Sequence, residues 1–290
     1  MSSWQVTTDR GRAFVQAIVD DPGHALLAFD FDGTLSPMVE DPAVAFISDD
    51  ARAALLALGS RVGQLAIVTG RPIDAVRQLA RLDDDDFGHL VVLGQYGVER
   101  FDCATGVARV PEVSAGFRDA VAEISSLVEE RAASDPALGG VHLEDKGRAL
   151  GVHTRRAADP QRALETLTGP VAAVAGAHGL HLEPGKLVLE VREQSTSKAE
   201  ALRELIEHGS PRTVMMAGDD LGDLPAFEEL HRWAARGVVT AALVSGSTER
   251  PELAAHADLQ ADGVEGVGAF LAWLAAELTT KVTTRADRQV

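Results

Sequence analysis

The chain has 290 residues, 46% of them apolar, enough for one large domain or two modest ones. Its net charge of −17 argues against nucleic acid or an anionic membrane as partner. No run of about 18 apolar residues offers a transmembrane helix. The single cysteine, Cys103, excludes an internal disulfide, and residues 1–14 lack the basic start and apolar core of a leader peptide. The expected location is therefore the cytoplasm.

The first third alternates strand and helix. "ALLAFD" (25–30) reads as a buried strand. "SDDARAALLALGSRV" (48–62) is an amphipathic helix with Ser48 or Asp49 as N-cap. "QLAIVTG" (64–70) is a strand, "RPIDAVRQLARL" (71–82) a helix and "HLVVLGQYG" (89–97) a strand. The acidic run Asp83–Asp86 lacks the ligand alternation of a calcium loop and reads as a solvated turn.

The middle has a different grammar. "SAGFRDAVAEISSLVEERAA" (114–133) is helical, and "GVHLEDKGRALGVHT" (140–154) is a hairpin turning at Lys146-Gly147. "PQRALETLTGPVAAVAGAHG" (160–179) is helical, and "LHLEPGKLVLEVR" (180–192) is a hairpin turning at Pro184-Gly185. The last third returns to alternation. A helix at 197–209 precedes a strand at 213–220, a helix at 224–237, a strand at 240–247 and a helix at 266–278. The polar tail 279–290 is expected to fray. The expected fold class is α/β, a Rossmann-like parallel-sheet core built from 1–111 and 194–290, with an α+β unit inserted at 112–193.

In an open parallel sheet, ligands bind beyond the carboxyl ends of the strands. Asp30 and Asp32 leave the first strand there, Thr69 the second, and Asp219, Asp220 and Asp223 a strand in the last third. Carboxylates gathered at one edge repel one another, and a hard divalent ion such as Mg2+ offsets this. Beside such an ion one carboxylate can attack phosphorus, and a second can move the proton. Gly33 permits a tight turn, and its N–H and that of Thr34 are candidates to cradle phosphate oxygens.

Four segments together carry a resemblance. "DFDGTL", "VTGR", a lysine at a helix start (Lys198) and "GDDLGD" resemble, in order, the motifs of the haloacid dehalogenase-like (HAD) phosphatases. The resemblance implies Asp30 as nucleophile and metal ligand, and Asp32 as general acid/base that also binds metal through its carbonyl. Thr69 and Lys198 would hold the phosphoryl oxygens, Asp219 would ligate the metal, and Asp220 and Asp223 would ligate or support. Over nearly the whole chain, "FDGTLSP", "VTGRP", "LEDKG…VHTRR", "LEPGKLVLEVR" and "AGDDLGD" are similar to the trehalose-6-phosphate phosphatase family. That implies a mobile sugar-recognising cap of the C2 type, with Glu144, Lys146, His153, Arg155, Glu183, Lys186 and Glu190 as its contact residues. Glu99 and Arg71 are further candidates for substrate contact. The implied partner is a small sugar phosphate, and a monomer is favoured.

Three departures bear on substrate. Gln95-Tyr96 stands where asparagine-histidine is usual, Glu193 where proline is common, and Ala199 where glycine usually follows the lysine. Drift is one reading of them, alanine being the better helix former by about 1 kcal/mol. The alternatives are a site remodelled for a trehalose-like pseudodisaccharide phosphate, or a silent sugar-phosphate-binding regulator. The retained Asp30/Asp32 pair argues against silence.

Overall fold

A computed structural model describes residues 3–193, 196–246 and 251–287. The expected boundary residue Gln194, the expected strand end Ser247 and the last three tail residues lie outside them. The chain forms two compact units, Met1–Val110 with Thr196–Val290, and Pro111–Ser195.

The larger unit holds β1 (Trp4–Val6), α1 (Asp9–Asp20), β2 (Ala25–Phe29), α2 (Asp49–Leu58), β3 (Gln64–Val68), α3 (Ile73–Ala80), β4 (Leu90–Gly94), β5 (Glu99–Asp102) and β6 (Val107–Arg109). The smaller unit holds α4 (Ala115–Ser134), β7 (His142–Asp145), β8 (Ala149–His153), α5 (Pro160–Ala177), β9 (His181–Gly185) and β10 (Val188–Arg192). The larger unit then resumes with α6 (Lys198–Gly209), β11 (Thr213–Gly218), α7 (Leu224–Ala234), β12 (Val239–Ser245), α8 (Pro251–Ala254), β13 (Leu259–Ala261) and α9 (Gly263–Asp287). Far from fraying, the tail continues α9 as helix to Asp287.

The large sheet runs β1-β13-β12-β11-β2-β3-β4-β5-β6, parallel from β13 to β4. From β2 the chain winds outward through β3 and β4, and from β11 through β12 and β13. The order therefore reverses between β2 and β11, the place where such sheets bind ligands. Both faces are covered. Leu27, Phe29, Leu65 and Met215 pack with Phe14, Leu55 and Phe270 of α1, α2 and α9. Leu26, Ala28, Val68 and Met216 pack with Leu202, Leu205 and Phe227 of α6 and α7. Strands buried on both sides must be apolar throughout, which is why β2 reads as an unbroken run.

The smaller unit's sheet, β7-β8-β10-β9, is antiparallel. Leu150, Val152, Leu189 and Val191 pack under Phe117, Ile124, Leu167 and Val171 of α4 and α5. The opposite face is polar. Its central rung sets Glu144, Gly151, Glu190 and Glu183 side by side across the four strands. The second hairpin differs from expectation. Pro184 pairs with Leu189 inside β9, and the turn falls at Lys186-Leu187. β9 is an edge strand, where a missing N–H leaves no ladder bond unmade.

Candidate active site

The carboxyl ends of β2, β3 and β11 gather most of the residues expected at the phosphoryl site. Asp30 directly follows β2 and is buried. Lys198 opens α6, whose start is fixed by a reciprocal cap: Ser197 accepts from the Glu200 N–H, and Glu200 accepts from the Ser197 N–H. The Lys198 ammonium lies 2.8 Å from Asp30 Oδ1 and 2.7 Å from Asp223 Oδ1. The other oxygen of Asp223 accepts the N–H groups of Asp219 and Asp220 at 3.0 and 3.1 Å. With both oxygens engaged and no solvent exposure, Asp223 is built as the support that holds Lys198 and the 219–220 backbone. Asp220 turns an oxygen to the Gly222 N–H at 2.8 Å and caps the short turn after β11.

Electrostatics match this geometry. Burial pushes the Asp30 carboxyl up to about 8, against the pull of Lys198. Burial likewise raises Asp223. Burial alone would lower Lys198, but Asp30 and Asp223 more than reverse it, so the ammonium keeps its charge. Asp30, Asp219 and Asp223 each bring an oxygen within 4.8 Å of the others. Three carboxyl groups around one ammonium offer hard oxygens that a divalent cation would favour in their ionised form.

Gly33 takes φ +75°, and a β-carbon there would stand 2.2 Å from Asp219 Oδ2. Only glycine lets the loop after β2 approach that carboxylate. Its N–H donates to the Ser36 carbonyl at 2.7 Å, so the expected phosphate cradle does not include it. The Ser245 hydroxyl, at the end of β12, donates to the Gly33 carbonyl at 2.7 Å. Sequence reading missed Ser245, although its place at a strand end was the available signal.

Asp32 is gripped by Arg71, whose Nε and Nη2 each donate to one carboxylate oxygen at 2.7 Å. Arg71 Nη1 donates to the Pro42 carbonyl at 2.8 Å. Buried Thr69 accepts the Arg71 N–H at Oγ1, which leaves its hydroxyl proton to donate elsewhere. Glu99 accepts the Ile73 N–H at 2.8 Å and caps the first turn of α3. That contact gives Glu99 a supporting position at the start of α3. Cys103 is half-buried, and burial pushes its thiol up to about 12, as befits a spectator.

In the smaller unit, the polar sheet face carries most of the other expected residues. His153 Nε2 lies 2.9 Å from Glu144 Oε2, and Lys146 Nζ donates to Glu190 Oε2 at 2.9 Å. Arg192 pairs with Glu183 at 3.1 Å and also with Glu190. Sequence reading missed Arg192, whose signal was the alternation of "VLEVR", which puts it on the same face as Glu190. Lys186, in the β9–β10 turn, and Arg155, just past β8, are exposed. Glu193 accepts from the Ser114 N–H and from Arg148, so this departure closes the base of the smaller unit.

A parallel sheet with its carboxylates at the switch point and an α+β insertion is the fold of the haloacid dehalogenase-like hydrolases. One from Bacteroides thetaiotaomicron aligns with 85% of the chain and 98% of its own length, at TM-score 0.51 and 19% identity. Within that class the chain belongs to the trehalose-phosphatase family, whose profile matches residues 28–261. A probable trehalose-phosphate phosphatase of Sinorhizobium fredii is 30% identical over 227 residues, 77% of this chain and 80% of the relative. The trehalose-6-phosphate phosphatase of Escherichia coli is 28% identical over 209 residues, 70% of this chain and 73% of the relative. Among solved structures, the trehalose-6-phosphate phosphatase C-terminal domain of C. albicans superposes at TM-score 0.69 with 21% identity, covering 93% of this chain and 98% of that one.

Proposed function

We propose that the chain hydrolyses trehalose 6-phosphate to trehalose and phosphate through an aspartyl-phosphate. The observation that carries this reading is the buried Asp30–Lys198–Asp223 chain at the switch point, beside an Asp32 held by Arg71. An Asp30 oxygen attacks phosphorus as the ester P–O bond breaks. Its electron pair goes to the ester oxygen, which takes a proton from the Asp32 carboxyl. Water then attacks phosphorus and gives a proton to Asp32, releasing phosphate and restoring Asp30. Thr69 and Lys198 hold the phosphoryl oxygens.

A divalent cation, magnesium by the chemistry of the donors, would be held by Asp30, Asp219 and the Asp32 carbonyl, where it would neutralise phosphoryl charge. Asp220 and Asp223 support this set.

We assign sugar recognition to residues 112–193, acting as a hinged cap. Glu144, Glu183 and Glu190 suit sugar hydroxyls as acceptors, while Lys146, His153, Arg155 and Lys186 supply donors and local positive charge. The engagement of Glu193 inside the smaller unit favours trehalose 6-phosphate over a remodelled substrate. The deciding experiment measures phosphate release from a panel of sugar phosphates with magnesium. The highest kcat/KM is expected for trehalose 6-phosphate. A pseudodisaccharide phosphate ahead by more than about tenfold, some 1.4 kcal/mol of discrimination, would overturn the substrate. Release from none would overturn the phosphatase.

A further inference from the structure

The chain's only tyrosine lies in an unusual backbone. After β4, Gln95, Tyr96 and Gly97 follow one another with φ of 49°, 58° and 101°. Left-handed backbone is rare for a bulky aromatic residue, and two such non-glycine residues in succession are rarer. Strain of this kind persists only where the surroundings over-determine it, and it concentrates at functional sites.

Here the surroundings are the end of β3. The Gln95 N–H donates to the Arg71 carbonyl at 3.0 Å, and the Tyr96 N–H donates to the Thr69 carbonyl at 2.9 Å. The turn thus grips the backbone on both sides of Gly70. The tyrosine ring lies against Gly70 so closely that a β-carbon there would stand 2.7 Å from the phenolic oxygen. Thr69 bears the hydroxyl assigned to phosphate, and Arg71 holds both oxygens of Asp32 at 2.7 Å. A short rigid path therefore leads from the 95–97 backbone, through 69 and 71, to the guanidinium and on to the Asp32 carboxyl.

We propose that the left-handed turn 95–97 is a positioning element for proton transfer: it sets the 69–71 backbone so that Arg71 presents Asp32 to the ester oxygen. The proposal rests on the phosphatase reading above. It accounts for Gln95-Tyr96 without a change of substrate, since the turn works through backbone N–H groups. Arg71 occupies one lone pair on each Asp32 oxygen, so a second on each remains for the proton.

The test separates proton transfer from general damage. Phenyl phosphate needs its leaving oxygen protonated more than 2,4-dinitrophenyl phosphate does, and both esters are too small to need sugar recognition. kcat/KM for each reports the step in which the ester bond breaks. Tyr96→Val opposes positive φ, whereas Tyr96→Gly accepts it. Tyr96→Val is expected to lose at least about tenfold more on phenyl phosphate than on the dinitro ester, a difference of 1.4 kcal/mol. Tyr96→Gly is expected to keep the wild-type ratio between the esters. In an Arg71→Ala background, Tyr96→Val should add no further selective loss. Equal losses on both esters in Tyr96→Val would overturn the proposal, as would a Tyr96→Gly ratio shifted as far as that of Tyr96→Val. Should circular dichroism show Tyr96→Val unfolded, Gly97→Ala strains the turn from its other end. The same selective loss is then expected, and an unselective one overturns the proposal. If the wild type releases phosphate from neither ester nor from trehalose 6-phosphate, the phosphatase reading itself fails, and the proposal with it. If it acts on trehalose 6-phosphate alone, Tyr96→Val is expected to lower kcat/KM there with Tyr96→Gly close to wild type, and equal losses overturn the proposal.

Discussion

The two sheets offer their functional groups in different ways. The parallel sheet of the larger unit is covered on both faces, so polar groups reach solvent only where its strands end. Asp30, Thr69 and Asp219 all occupy such ends. The antiparallel sheet of the smaller unit is covered on one face, so polar groups line its other face, as Glu144, Glu190 and Glu183 do. Strand ends converge a few groups tightly, which suits bond chemistry. A strand face spreads acceptors about 4.8 Å apart, which suits the hydroxyls of a sugar.

The sharpest way to break this comparison is at a strand end. Asp30→Asn should lower turnover by at least about a thousandfold, because an amide cannot serve as the nucleophile. The melting temperature of the cation-free protein should not fall, since the amide fills the same volume without the charge that burial opposes. Phosphate release and thermal unfolding check both halves, and near-normal turnover would remove Asp30 from the chemistry. Next in size is the cation. Exhaustive chelation should reduce activity by about a hundredfold or more, with magnesium restoring it. Asp219→Asn should raise the magnesium concentration needed for half-maximal rate, and unaffected activity after chelation would refute the cation site.

The strand face is expected to respond selectively. Glu190→Gln or Glu183→Gln should cost about tenfold to a hundredfold in kcat/KM on the disaccharide phosphate, the worth of one charged hydrogen bond. A small aryl phosphate should be hydrolysed within about twofold of wild type, and equal losses on both would count against recognition by this face.

The smallest effect sharpens the contrast by lying at neither place. Glu229 is buried on α7 and accepts from Arg203 twice at 3.0 Å and from the Trp233 indole at 3.0 Å. These bonds, led by Arg203, hold its carboxyl below the ordinary value of 4.5. Its stabilising contribution is therefore present above that value and disappears as pH falls through the lowered one. Glu229→Gln should destabilise by about 1–2 kcal/mol near neutral pH, with the difference shrinking in acid and kcat little changed. Urea melts at two pH values check this.

Where the sequence was legible, the reason was local. Buried parallel strands read as continuous apolar runs, and helix starts such as Ser48 and Ser197 carry their own caps. What escaped depended on distant partners. β1 is three residues long and is defined by pairing Trp4 with Ala261 across the whole chain. Pro184-Gly185 has the composition of a turn, but its edge position made it strand. Asp30 and Asp219 were expected at one sheet edge, and they directly follow β2 and β11, with Lys198 between Asp30 and Asp223. The use of each oxygen could not be read, because Asp223 turning to Lys198 and Glu99 turning to the Ile73 N–H are choices made by neighbours in space.

The pairing of β2 with β11, Ala25 opposite Thr213, has a consequence for how the protein is made. A ribosome releases β2 before β11, and the partner emerges only after the whole of 111–195 has been synthesised. The smaller unit, contiguous in the chain, has all its strands in hand by then and is free to fold first. Throughout that interval β2 lacks its β11 neighbour, an apolar strand with an open edge, and such edges invite pairing with other chains. During that interval the nascent protein carries Asp30 and Asp32, yet neither Lys198 nor Asp219 exists to complete them. The site is therefore complete only once β11 has emerged, and β2 is the segment most in need of protection until then.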